Sequence, residues 1–223
     1  MKSEVKIIEF VGPPGSGKTT VKKKLFKSNF SNSNTTVKRF YLLLYFFEVL
    51  YKAPKLYLFS LFLLFRHVYH NPLELLKRLS ILTLDIKRLD CSRKSDEINI
   101  FCEAFIKNLK KIDSYSKNGL SKYDFNKALK LYSKYFETLF IFFKVDYKNS
   151  FERVKKRNLK RDKKRLKCSP SEYKKMMLKS NNLHNFLVNI LQKNGKKVFW
   201  VNANKPVDEV IKDIKKIIIK FWI

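Results

Sequence analysis

The stretch Gly12-Pro13-Pro14-Gly15-Ser16-Gly17-Lys18-Thr19 decides the fold of this chain. It matches the phosphate-binding pattern G-x-x-x-x-G-K-[ST], the P-loop, at every defined position. Three of the chain's five glycines and two of its six prolines fall inside it. In a chain so poor in both residues, that concentration indicates a loop of prescribed backbone geometry.

The residues on either side of the P-loop fit the motif. Residues 5–11 (Val-Lys-Ile-Ile-Glu-Phe-Val) are typical of a buried parallel strand, and residues 19–27 predict a helix. Backbone N–H groups of the turn and of the helix start, Thr20 included, would point at a polyphosphate. Lys18 would reach the β- and γ-phosphates, and the Thr19 hydroxyl would ligate Mg²⁺. The alternative is a glycine-rich turn that binds nothing, and the strand and helix around it argue against that.

Further apolar stretches predict a sheet of about five parallel strands with helices on both faces, a three-layer α/β fold. The additional strands are predicted at residues 36–40, 97–105, 139–145 and 197–202. One domain over residues 1–223 is expected from the length. It has a helical insertion at about residues 41–89 and an arginine-rich, lid-like segment at about residues 151–168.

The net charge of the chain is extreme, with 49 Lys and Arg against 19 Asp and Glu, or +30. One interpretation is a polyanionic partner, either nucleic acid or an acidic membrane face. The other is a base composition that encodes Lys, Asn, Ile and Phe liberally. The lysines are spread along the whole chain, so nucleic-acid binding is a minor hypothesis.

Three cysteines (Cys91, Cys102, Cys168) are far apart in sequence and form no Cys-x-x-Cys pair, so zinc is not expected. Reduced thiols and an N-terminus that enters a strand directly predict a cytoplasmic protein without a signal peptide.

The aromatic region 41–89 admits two interpretations. Residues 41–51 and 56–65 are apolar runs of about half the roughly 20 residues that a spanning helix needs. Two buried helices with Pro54 near the turn are the preferred prediction. A membrane-peripheral role, with aromatic residues inserted and basic residues outward, is the alternative.

Two features suggest catalysis. Glu103 ends the predicted strand 97–105, where a P-loop fold needs an acidic group for the Mg²⁺ shell or for the acceptor's proton. The alternative is a surface glutamate at the end of a strand. Arg153, Arg157, Arg161 and Arg165 recur at four-residue spacing and share one helical face, which suits contacts to phosphate oxygens. Arg157 and Arg161 are the preferred candidates, and a solvated basic helix is the alternative.

With these segments in order, the chain resembles the thymidylate kinase-like branch of P-loop nucleotide and nucleoside kinases. It also resembles uncharacterised P-loop proteins of that branch, some encoded among bacterial surface-polysaccharide genes. The segments that show the resemblance are residues 7–11 with the P-loop, residues 99–105, residues 142–146 running into Phe151-Glu152-Arg153 and Arg157, and residues 198–202 before 206–210.

The resemblance implies transfer of the ATP γ-phosphate to an acceptor under a closing lid, with Mg²⁺ as cofactor. It assigns Arg157, and Arg161 next, to that lid. It places the loop Asn202, Ala203 and Asn204 beside the nucleotide base.

Two departures bear on the acceptor and the metal. Cys102-Glu103-Ala104 stands where thymidylate kinases have an Asp-Arg-Tyr type sequence, which argues against thymidylate. Relatives with Asp-Glu-Gly have an Asp before the glutamate, so metal binding rests here on Thr19 and Glu103. The function predicted is an ATP-dependent kinase of a small molecule, nucleoside or nucleotide. The alternative is a nucleotide-dependent interaction protein at an acidic membrane surface, with weak or no kinase activity.

Overall fold

The structure of the protein is a computed structural model that describes residues 7–27, 42–68, 72–94, 97–115, 119–157 and 168–222. Within these residues four strands form one parallel sheet in the order β2-β1-β3-β4. The strands are β1 (Ile7–Val11), β2 (Asn99–Cys102), β3 (Thr138–Lys144) and β4 (Val198–Asn202). The register of β3 on β4 pairs Phe140 with Val198 and Lys144 with Asn202.

The described residues also form nine α-helices. These are α1 (Lys18–Lys27), α2 (Leu42–Lys52), α3 (Pro54–Val68), α4 (Pro72–Lys94), α5 (Phe105–Tyr115), α6 (Lys122–Tyr135), α7 (Tyr147–Arg157), α8 (Pro170–Lys193) and α9 (Val207–Trp222). No helix in these ranges combines the length and the apolar character that crossing a bilayer requires.

One prediction about strands differs from the structure, and another is not tested by it. The predicted strand at 97–105 is too long, because β2 ends at Cys102 and helix α5 begins at Phe105. An apolar run such as Ala104-Phe105-Ile106 suits a strand or a buried helix equally, and only the packing decides between them. Four strands are seen where about five were predicted, and the remaining candidate, residues 36–40, lies outside the described residues.

The chain divides into two compact units. The helical unit comprises the described part of Ser31–Thr138 together with Ile7, and the P-loop unit comprises the described parts of Ile8–Phe30 and Leu139–Ile223.

In the helical unit, α2, α3 and α4 pack on one another, and α3 also packs on α5 and α6. Its core includes the buried hydroxyl pair of Tyr57 and Thr83 at 2.5 Å and the stacked rings of Phe105 and Tyr132, with centroids 4.8 Å apart. In the P-loop unit, every residue of β3 before Lys144 is buried, as expected of a central parallel strand. An ion pair joins Lys24 of α1 to Asp208 of α9 at 2.9 Å.

The prediction of two buried helices in the region 41–65 is only half right. Helices α2 and α3 are present, and Val49, Leu56 and Leu63 are buried. The opposite side of the same two helices, however, exposes large apolar side chains such as Phe47 and Phe62. The sequence suggested burial all round because both faces of these helices are apolar.

Candidate nucleotide-binding site

The P-loop follows directly from the buried strand β1 and leads into helix α1. Ser16 is buried and its backbone N–H donates to Pro13 O at 3.4 Å, which curls the loop back on itself. The first helical bond runs from Val21 N to Gly17 O at 2.9 Å, so α1 begins immediately after the loop. Since the first N–H groups of an α-helix have no acceptor within the helix, the first turn of α1 presents donors and a positive dipole end toward the loop.

Two glycines of the loop have left-handed backbone conformations, for different reasons. Gly15 has φ 73°, and a Cβ at this position would lie 2.5 Å from the carbonyl oxygen of Ser150. Gly17 has φ 84°, but a Cβ there would meet nothing within 4 Å. Gly15 therefore packs against α7, whereas Gly17 borders open space at the start of α1.

The ammonium group of Lys18 lies over its own loop. Its Nζ donates to Gly12 O at 2.6 Å, to Pro13 O at 2.9 Å and to Ser16 Oγ at 3.2 Å. These three acceptors hold the positive charge above the turn. The next two residues, Thr19 and Thr20, are exposed in the first turn of α1.

A buried chain of hydroxyl groups fixes the position of the loop. Ser150 Oγ donates to Pro14 O at 2.6 Å and lies 2.7 Å from the hydroxyl of Tyr173 in α8. A serine hydroxyl has one hydrogen, so Tyr173 must be the donor to Ser150. Helix α8 thus supports α7, and α7 supports the P-loop. Sequence reasoning missed Ser150, because no local pattern indicates which distant carbonyl a helical serine will contact.

The loop after β4 is joined to the end of β3. Asp146 caps α7 by accepting from Asn149 N at 2.8 Å, and its own backbone N donates to Asn204 Oδ1 at 3.1 Å. Asn149 Nδ2 also donates to Asn204 Oδ1, at 3.2 Å. The sequence placed Asn202, Ala203 and Asn204 in this loop but gave Asp146 and Asn149 no role, although Asp-x-x-Asn at a strand end is a recognisable helix-cap pattern.

Two arginines of the predicted face, Arg153 and Arg157, lie among the described residues, and their surroundings differ. Arg153 donates to Ala203 O at 2.7 Å and so belongs to the support of the loop after β4. Arg157 is exposed at the last residue of α7. Arg161, the second lid candidate, lies outside the described residues, so its assignment stays a prediction.

Glu103 follows β2 in the helical unit and has an unusual backbone. Its φ is 56°, the one positive value among the described non-glycine residues. Its carboxylate is largely buried and pairs with Lys110 Nζ at 3.2 Å. A non-glycine residue in the left-handed region costs of order 1–2 kcal/mol and is a feature from which a functional hypothesis can start. The described residues contain no group of three or more His, Cys, Asp or Glu side chains that could hold a metal ion.

The arrangement of sheet, P-loop and α1 recurs in solved structures. The chain is similar to deoxyadenosine kinase from M. mycoides in three structures. With dCMP and a flexible dCDP bound, the TM-score is 0.52 at 17% identity, covering 96% of this chain and 99% of that one. With dATP bound, the TM-score is 0.51 at 19% identity, covering 94% of this chain and 97% of that one. With dCTP bound, the TM-score is 0.51 at 20% identity, covering 96% of this chain and 99% of that one.

These likenesses show that the chain shares the fold of the deoxyadenosine kinase structures. No family model matches the sequence. No protein of curated function matches it at a significant level either.

Proposed function

We propose that this protein is an ATP-dependent phosphotransferase of the nucleoside kinase type. The observation on which the proposal rests is the geometry of the P-loop, in which Gly15 and Gly17 have left-handed backbones and Lys18 lies over the turn before α1. A loop of this shape, placed at a helix N-terminus, is suited to hold phosphate oxygens.

Each residue of the proposed donor site has a role that follows from its chemistry. The loop Gly12, Pro13, Pro14, Gly15, Ser16 and Gly17 would surround the phosphates, and the first turn of α1, including Thr20, would donate backbone N–H groups to them. Lys18 would exchange its three loop acceptors for phosphate oxygens. Asn202, Ala203 and Asn204 would border the base, in a loop that Asp146 and Arg153 hold in place.

The proposed metal ligands are the Thr19 hydroxyl and the Glu103 carboxylate, which offer the hard oxygen atoms that Mg²⁺ prefers. Bound Mg²⁺ would neutralise charge on the β- and γ-phosphates. The exposed hydroxyl of Thr19, one residue after Lys18, suits that position. Glu103 is proposed to orient the metal's water or to take the acceptor's proton, and Arg157 with Arg161 is proposed to approach the transferring phosphoryl group.

The proposed acceptor is a nucleoside or deoxynucleoside. The support is the fold shared with deoxyadenosine kinase structures that hold dATP, dCTP and dCMP. The sequence Cys102-Glu103-Ala104 at the end of β2 gives no reason to single out thymidylate.

Phosphate transfer from labelled ATP to a panel of deoxynucleosides, ribonucleosides and their monophosphates tests the proposal. The wild-type chain is compared with Lys18→Met and with the control Lys23→Met, an exposed lysine one turn further along α1. We expect transfer to at least one nucleoside in the wild type and in Lys23→Met, and a loss of roughly a hundredfold or more in Lys18→Met. ATP binding without transfer to any acceptor would refute the kinase and favour the alternative, a nucleotide-dependent interaction protein.

A further inference from the structure

Helices α2 and α3 together expose a single line of large apolar side chains, here called the apolar stripe. Its members are exposed by 51 to 87%, and they are Leu44, Phe47, Tyr51, Leu58, Phe62 and Phe65. Exposed Lys55 falls between Tyr51 and Leu58, so that successive positions are three or four residues apart throughout. At 3.6 residues per turn, these positions fall within an arc of roughly 80° on one helix face.

The stripe continues through the junction of the two helices. Only Ala53 separates α2 from α3, and its N–H donates to Val49 O while its carbonyl accepts from Tyr57 N, each at 2.9 Å. Helical hydrogen bonding therefore passes through the junction, although Pro54 has no N–H to donate. Buried residues, among them Val49 and Leu63, follow the opposite face along the same length. The two helices thus behave as one amphipathic element, Leu42 to Val68, whose second apolar face is exposed.

The charges next to the stripe are positive. Arg66 lies 5.9 Å from the centre of the Phe62 ring, and Lys127 lies 4.7 Å from the ring of Phe59 beside the stripe. The one acidic residue of α2 and α3, Glu48, is bound by Lys52 and Lys87. An approaching surface therefore meets aromatic rings and cations, and the one acidic residue of α2 and α3 is already paired.

We propose that the apolar stripe docks this protein on an anionic lipid surface. Helices α2 and α3 lie in the interface, with the Leu, Phe and Tyr side chains at the boundary of headgroups and acyl chains. Lys55, Arg66 and Lys127 face the anionic headgroups, with their long stems following the apolar surface. This docking is independent of the proposed phosphotransfer, since the stripe includes none of the residues proposed for the nucleotide, metal or catalytic site.

The chemistry of the stripe favours lipid over a protein partner. A second copy would bring Lys55 and Arg66 against a chain that has the same charge of +30, which repels. Non-directional aromatic contacts combined with cations suit a fluid anionic surface.

The experiment is sedimentation of the whole chain with phosphatidylcholine vesicles that contain or lack phosphatidylglycerol. One variant combines Phe47→Ser, Phe62→Ser and Phe65→Ser. Its matched control combines Met176→Ser, Leu178→Ser and Ile219→Ser, which are exposed to a similar degree on α8 and α9. Circular dichroism verifies that both variants fold.

We expect the wild type to bind vesicles that contain phosphatidylglycerol, the stripe variant to lose at least roughly tenfold in affinity, and the control to stay within about twofold. A second pair of variants separates local from global charge. Lys55→Gln with Arg66→Gln should weaken binding on the order of fivefold per cation, and Lys212→Gln with Lys216→Gln, which has the same net charge, should weaken it less.

Three outcomes would overturn the proposal. One is equal loss in the stripe variant and its control, which would mean non-specific attraction of a +30 chain. Another is no binding to either kind of vesicle. The third is a dimer in sedimentation equilibrium that the stripe variant abolishes, which would identify a second copy of the chain as the partner.

Discussion

Replacing Gly15 by alanine tests the geometry on which the nucleotide site depends. Gly15 has φ 73°, and the added Cβ would lie 2.5 Å from Ser150 O and 3.1 Å from the carbonyl carbon. The clashing atoms are backbone atoms of a fully buried residue whose hydroxyl already binds Pro14 O. No flexible side chain can move aside, so either the P-loop or α7 must shift.

The expected destabilisation has two parts. Placing a non-glycine residue in the left-handed region costs about 1–2 kcal/mol. Forcing an extra methyl group into a packed site costs about 1–3 kcal/mol more. Gly15→Ala should therefore lower the free energy of unfolding by about 2–5 kcal/mol. Gly195→Ala is the matched control, because Gly195 has φ 71° and no atom within 4 Å of the added Cβ, so the first part alone applies.

Urea unfolding followed by tryptophan fluorescence measures both variants. Trp200 lies in β4, so its fluorescence reports on the P-loop unit. Gly17→Ala, with φ 84° and open space, should resemble Gly195→Ala in stability yet bind ATP more weakly, because its methyl group lies at the proposed phosphate site. If Gly15→Ala proves no less stable than Gly195→Ala, the close approach of the P-loop to α7 is refuted.

Two further predictions concern buried hydrogen bonds and pH. Ser150→Ala should destabilise the P-loop unit by about 1–3 kcal/mol, because it leaves the Pro14 carbonyl and the Tyr173 hydroxyl without this partner. A double-mutant cycle with Tyr173→Phe should show coupling, and strict additivity would disprove the chain of hydroxyls. Burial by itself would raise the pKa of Glu48, but hydrogen bonds from Lys52 and Lys87 outweigh it, so the pKa lies below the usual 4.5. The stability that ionised Glu48 contributes is therefore complete above the unfolded-state pKa of 4.5 and is lost as the pH falls through the lower folded-state pKa. Thermal melting followed by far-ultraviolet circular dichroism should show the advantage of the wild type over Glu48→Gln shrinking at acidic pH. Burial also raises the pKa of Asp85, but this carboxyl is present in the wild type and in Glu48→Gln alike, so it cancels when the two are compared. A difference in melting temperature that stays the same at acidic pH would therefore contradict the role of Glu48.

The sequence could predict features that depend on local pattern. The P-loop sets its own backbone through closely spaced glycines, and β1, β3 and β4 are short apolar runs next to turn residues. The order of strands and helices around Gly12 to Thr19 then leaves few folds to choose from. The likeness to deoxyadenosine kinase structures agrees with that part of the prediction.

What the sequence could not predict depends on contacts between distant residues. Four-residue spacing puts Arg153 and Arg157 on one face of α7, but only packing determines that Arg153 binds the carbonyl of Ala203. The same holds for Ser150, which reaches a loop 136 positions earlier. The sequence also does not predict which face of α2 and α3 is exposed, because apolar residues occupy both faces and their periodicity is the same on each.

The backbone of Glu103 adds a physical argument that the sequence alone lacked. Glycine would adopt φ 56° without strain, whereas for glutamate this conformation costs of order 1–2 kcal/mol. The carboxylate is largely buried and pairs with Lys110, so its contacts offset part of this strain. The left-handed backbone sets the direction in which the carboxylate leaves the end of β2, and an ordinary β or helical conformation would direct it elsewhere. A strained acidic residue directly after a sheet strand is a feature from which a functional hypothesis can start, and the catalytic role proposed for Glu103 is such a hypothesis.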